Sequence, residues 1–125
     1  MRTKLFLGTQ AVVGLVLVVF GLNGFLQFLP LPPANDELAA FGMAVYKTGY
    51  IFPLMAILEL FAGVSFLLNR FSALSAVLIM PVMINALFAH IFLDMNGIAP
   101  SLFIVLGILF VMFKNKEAYA LMFKA

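Results

Sequence analysis

Five residues carry the chemistry that this sequence can offer inside long apolar runs: Asn23, Glu59, Asn85, His90 and Asp94. An ionisable side chain at the centre of a lipid-embedded helix costs roughly 2.5 to 3.5 kcal/mol on insertion scales, so each such residue demands a reason. Glu59 is the main case. Ala56, Ala62 and Gly63 lie within a turn of it, on a face where a second helix can approach closely. A protonated Glu59 can donate a hydrogen bond or pass a proton; the structural alternative is a neutral carboxyl that clips two helices together through a backbone or Asn contact. Asn85 follows Pro81 by one turn, and a proline there leaves the carbonyl of Val77 without its amide partner, so the Asn85 amide can serve a ligand or repair the helix. His90 and Asp94 are four residues apart and share a helical face, a spacing that lets the carboxylate orient the imidazole for proton transfer and that is equally ordinary at a helix end. Asn23 and Gln27 repeat the same spacing in an earlier run.

The elements that must position these groups are set by composition. Of 125 residues, 66% are hydrophobic and 10% are charged, which leaves too little polar surface to coat a water-soluble domain. The apolar surface must face lipid, and spans of about 20 residues at about 1.5 Å per residue use up most of one domain. The fold expected is all-α: a four-helix transmembrane bundle with spans at about residues 5–28, 50–69, 72–92 and 98–113. A short amphipathic helix over about 35–48 is expected between the first two, lying at the membrane surface. Arg2 and Lys4 before the first run suggest a signal peptide, but the run is too long for one and no small-residue cleavage site follows, so it reads as an uncleaved span.

Punctuation supports these boundaries. Pro30, Pro32 and Pro33 stop the first helix; Asn35 caps the amphipathic one, with Asp36 and Glu37 in its first turn, Lys47 in its last and Gly49 beyond. Leu38, Phe41 and Val45 form its apolar stripe. Ser72 is placed to cap the third span, and Asn96-Gly97 makes the next turn. Gln10, Gly14, Gly21 and Gly24 occupy another face of the first helix and read as packing contacts. In the tail after Lys114, Tyr119, Met122 and Phe123 suit the membrane interface. Arg2, Lys4, Arg70, Lys114, Lys116 and Lys124 fall on one side and Lys47 alone on the other, so both termini are expected in the cytoplasm; a bacterial inner membrane is the expected location.

Several function classes drop out. The seven basic residues form no stripe, so nucleic acid is not an expected partner. The absence of cysteine excludes a thiol redox relay or a thiolate metal site, and a single His excludes bis-histidine haem ligation within one chain, though a homo-oligomer supplies a second imidazole. By distance along the helices, Asn23, Asn85 and His90 fall in the outer half of the bilayer and Glu59 near the midplane, so all four can line one pocket open to the outer face.

The stretch Phe20-Gly21-Leu22-Asn23-Gly24-Phe25, the prolines 30–33, Thr48-Gly49-Tyr50, Glu59 with Gly63, and Asn85 with His90 together resemble the DoxX-like family of small four-helix membrane proteins. The likeness covers nearly the whole chain. Members of that group are associated with membrane redox complexes, including a quinone-reducing small subunit, and a distant branch holds cargo receptors. The resemblance implies an accessory membrane subunit beside a redox partner, with Asn23, Glu59, Asn85 and His90 binding a quinone or lipid, rather than a self-sufficient enzyme. No covalent cofactor motif is present. Two alternatives stand beside it: a structural or chaperone-like subunit of a larger complex, and a small proton-linked transporter using Glu59.

Overall fold

The computed structural model describes residues 2–27 and 34–124, with side chains from residue 4 onward. Every regular element among them is helical. The order is α1 (Arg2–Leu26), α2 (Asp36–Lys47), α3 (Ile51–Leu68), α4 (Ser72–Leu93), α5 (Ile98–Lys114) and α6 (Lys116–Tyr119), followed by a 3-10 turn, Ala120–Phe123. Phe28 and the prolines Pro30, Pro32 and Pro33, on which the end of the first span was expected to rest, lie outside the described residues. Within them α1 ends at Leu26, and Gln27 just beyond it has a left-handed φ of 51°. The α2–α3 and α4–α5 junctions turn at Gly49 and Gly97, both with φ of 80°, where a side chain would be strained and glycine is not.

Four helices pack in a closed ring: α1 lies along α3, α3 on α4, α4 on α5, and α5 returns to α1. The apolar core between them is built from Val13 and Leu17 of α1, Ala62 and Phe66 of α3, Ile79 of α4 and Ile108 of α5. The α1–α3 seam is the closest, because glycines face each other across it. A Cβ added to Gly63 would stand 2.7 Å from the Gly14 carbonyl oxygen, and one added to Gly14 would stand 2.8 Å from that of Gly63. The small face around Glu59 thus does admit a neighbouring helix, and the neighbour is α1.

Outside the ring the surface is as apolar as the core. Leu15, Ile57, Phe61, Phe92 and Leu106 are all exposed. Helices 4–26, 51–68 and 72–93 are long and apolar enough to cross a bilayer, yet no more than 33% of any of them is buried within the protein. Such helices belong in lipid, where their backbone groups are satisfied internally and their side chains need no water. α5 is shorter, at 17 residues, and turns by 79° into α6 and the 3-10 segment.

Two local expectations are corrected. Ser72 does not cap α4: Phe71 occupies the cap position with a left-handed φ of 57° and no side-chain cap is made, because the Ser72 hydroxyl is engaged with Gln10 and Asn69 instead. Tyr119 packs inward on the protein. It is buried, and its hydroxyl donates to the carbonyl of Ala73 at 2.7 Å, pinning the bent tail to the start of α4, while Met122 and Phe123 are exposed.

Candidate functional site

At the end of the ring where α3 begins and α4 finishes, the helices do not fill the space between them. α2 contacts α3 and α4 there and buries none of its residues, as befits a roof rather than a core helix. It is held at both ends by hydrogen bonds that its sequence supplies. The Asn35 side chain accepts from the backbone N–H of Leu38 at 2.9 Å as a helix cap and donates to the carbonyl of Leu93. The backbone N–H of Asn35 donates to the Asp94 carboxylate at 2.8 Å. At the other end the Thr48 hydroxyl donates to Val45 and accepts from the amide of Ile51.

Two adjoining cavities lie beneath and beside this roof. One, of about 970 Å³, is bounded by Asn23, Gln27, Tyr46 and Lys47 among others. The second, of about 500 Å³, runs under Leu38, Phe41 and Val45 to Asn85 and His90. Phe20, Phe52, Met55 and Glu59 line both, so the two cavities, called lobes below, adjoin along a wall that includes Glu59. All four residues singled out in the sequence, Asn23, Glu59, Asn85 and His90, border it.

Glu59 is 9% exposed, and no hydrogen bond or ion pair reaches its carboxyl among the described residues. The clip expected as its structural alternative would need a backbone or Asn partner, and none is in place. Its open side faces the two lobes. A buried carboxyl without a partner costs about 1–3 kcal/mol or more relative to one that is satisfied, and a ligand or water in the lobes is what can relieve it.

The His90–Asp94 pair differs from the sequence reading. The imidazole Nδ1 lies 3.1 Å from the backbone carbonyl oxygen of Asp94, not from its carboxylate. Since a carbonyl only accepts, Nδ1 carries the proton in that bond, and in a neutral ring Nε2 is left as an acceptor. The Asp94 carboxylate accepts from the backbone amides of Asn35 and Asn96 and is 6% exposed, so it anchors the α2 roof and the α4–α5 turn rather than steering the imidazole. Sequence spacing placed both side chains on one face correctly, but a backbone amide from a segment 59 residues away claimed the carboxylate.

Asn85 likewise does not mend the helix at Pro81. Its amide forms no hydrogen bond among the described residues, and the side chain is exposed while bordering the second lobe.

The opposite end of the ring holds a polar cluster that sequence reasoning treated only as packing. Gln10 is fully buried; its Nε2 lies within 2.9 to 3.1 Å of the Phe66 carbonyl, Asn69 Oδ1 and Ser72 Oγ, acceptors between which its two hydrogens are shared. Lys114 donates to Gln10 Oε1 at 3.1 Å. One side chain thereby ties α1, α3, α4 and α5 together. A lone Gln amid aliphatics was the available signal; its partners were not legible, being up to 104 residues away. These groups satisfy one another, in contrast to Glu59.

Compared with known proteins, the chain matches no family model, no curated protein and no solved structure.

Proposed function

We propose that this chain is an integral membrane protein of four spans that holds a hydrophobic ligand with a polar head, a quinone or a lipid, in the two-lobed space beneath α2. Glu59 hydrogen-bonds the head, as donor through its O–H or as acceptor, and His90, Asn23 and Asn85 line the surrounding walls. Apolar side chains of α2 and α3 enclose the rest, as in ligand sites where a few polar groups orient a mostly apolar guest. The observation that carries this reading is the buried, unpartnered Glu59 carboxyl at the junction of the lobes. It also favours a ligand site over a purely structural role, since a carboxyl that only held helices together would have something to hold. The DoxX-like likeness of residues 20–25, Glu59, Asn85 and His90 points the same way and adds a redox partner, because the chain brings no redox group of its own.

The orientation proposed has the roofed end outside and both termini in the cytoplasm. Lys114, Gln10, Arg70 and the tail gather at the end opposite α2, so the basic residues that bias insertion share one side, with Lys47 at the other. The chain has no cysteine, so Glu37→Cys and Ala118→Cys report without background. A membrane-impermeant maleimide applied to intact cells should modify the former and spare the latter; the reverse pattern overturns the topology.

The function is tested by extracting wild-type, Glu59→Gln and Glu59→Leu proteins in mild detergent and analysing the organic extract by mass spectrometry. Wild type should carry a stoichiometric lipid or quinone, and Glu59→Leu should lose it while inserting normally, because leucine is easier to insert than glutamate. Equal retention by the leucine variant removes the proposal.

A further inference from the structure

Asn85 occupies an anomalous place. Counting along α4, Leu78, Pro81, Phe88 and Phe92 stand seven and four residues before it and three and seven after it, hence on the same helical stripe, and all four are exposed. None of those four borders the cavity, so that stripe faces away from the ring. Asn85 alone among the five is at once on the outward stripe and on the wall of the second lobe. The wall is therefore breached at Asn85. The residues beside it on the lobe side are small, Ala86 and Ala89, which leave the gap open where a larger side chain would close it. The Asn85 amide, near the middle of a 22-residue span and on its outward stripe, has no hydrogen bond among the described residues. In hydrocarbon such a group is costly unless something passing or bound there supplies the partner.

From this breach we infer that the second lobe is reached sideways from the bilayer, through a portal framed by Asn85, Ala86 and Ala89, and that the ligand is a membrane-dissolved amphiphile. Its head lies at Glu59 and its chain trails past Asn85 into the lipid. The inference rests on the ligand-binding reading above and narrows it: molecules that partition into lipid qualify, and water-borne solutes arriving over α2 do not. Asn85 is then an access residue, offering its amide to the polar part of the ligand as it crosses the wall, and Glu59 is the binding residue.

The test uses the full chain in phosphatidylcholine nanodiscs. Tryptophan is absent from the sequence, so Met55→Trp, at a position lining both lobes, is a single fluorescent reporter. Decylubiquinone is the probe, and its quenching of the reporter is followed by stopped flow. Ala86→Phe, which fills the portal, should slow association by tenfold or more and raise Kd as well, because the trailing chain of the bound ligand passes through the same opening. Unchanged rates overturn the portal. Should Ala86→Phe fail to fold, Ala89→Leu takes its place. On the parent reporter, chain-brominated phosphatidylcholine should quench position 55 through the opening, and absence of that quenching also overturns the inference. Glu59→Leu in the reporter background tests the binding reading separately: saturable quenching that survives it removes the site, whereas its loss with unaltered Ala86→Phe rates removes only the portal. Quantitative disulfide dimerisation of an Asn85→Cys protein in two-copy nanodiscs would assign that face to a second copy of the chain and overturn the portal likewise.

Discussion

The α1–α3 seam offers the sharpest energetic test, through Gly63→Ala. The added Cβ would meet the Gly14 carbonyl oxygen and Val18 Cγ2 at 2.7 Å and the Val18 amide nitrogen at 2.8 Å, whereas ordinary contacts begin at 3.4 Å. Two of these three atoms are backbone and cannot rotate away, so α1 and α3 must separate by several tenths of an ångström. Overpacking of this kind costs about 1–3 kcal/mol. Alanine returns about 0.5–1 kcal/mol by lowering the entropy of the unfolded chain and favouring helix. At the middle of both ranges the wedge wins, with a net loss of about 1 kcal/mol and an upper bound of about 2.5 kcal/mol. Gly8→Ala is the matched control on α1, where an added Cβ meets nothing within 4 Å and only the helix-favouring gain remains. SDS titration in mixed micelles, followed by circular dichroism, should give a lower unfolding midpoint for Gly63→Ala and an equal or higher one for Gly8→Ala. Because Gly63 lies one turn from Glu59, the wedge should also weaken ligand retention. Equal midpoints for the two variants refute the claim that backbone contact at this seam limits how closely the helices approach.

Gln10→Leu keeps the volume but strips partners from the Phe66 carbonyl and from Lys114; a loss of about 1–3 kcal/mol is expected in the same titration, and a neutral effect would mean that water replaces the amide. Asn35→Ala removes the cap of α2 and its tie to Leu93, so hydrogen exchange should quicken across residues 36–47 while α3 and α4 stay protected; uniform exchange would show that the roof is held by other means. Tyr119→Phe deletes the bond to Ala73, at a cost of about 0.5–1.5 kcal/mol. Burial raises the Tyr119 hydroxyl above its ordinary pKa of 10.0, so the neutral form is favoured in the fold; wild-type stability should be full below pH 10.0 and fall as pH rises through the folded value, a decline that the Phe variant should lack.

The sequence by itself determined the helices and their surroundings. Apolar runs of span length, the Asn35 cap with its acidic first turn, and the turns at Gly49 and Gly97 are local facts, fixed by backbone chemistry and by the cost of exposing hydrocarbon to water. It also marked Asn23, Glu59, Asn85 and His90, because polar groups in such runs are few and depth follows from counting residues. The Leu38, Phe41 and Val45 stripe was likewise legible as the apolar face of α2. Tertiary structure alone decided what each polar group meets. Asp94 sits four residues from His90, yet its carboxylate is taken by the amides of Asn35 and Asn96, since a backbone N–H brought in by α2 is the better placed donor. Gln10 is isolated in sequence and joined to four helices in space. Asn85 was placed in the outer half of a pocket; that it also stands at a gap in the wall depends on how α4 is rotated against its neighbours. Spacing of 3.6 residues fixes which side chains share a face, and only the packing of one helix on another fixes what that face is turned toward.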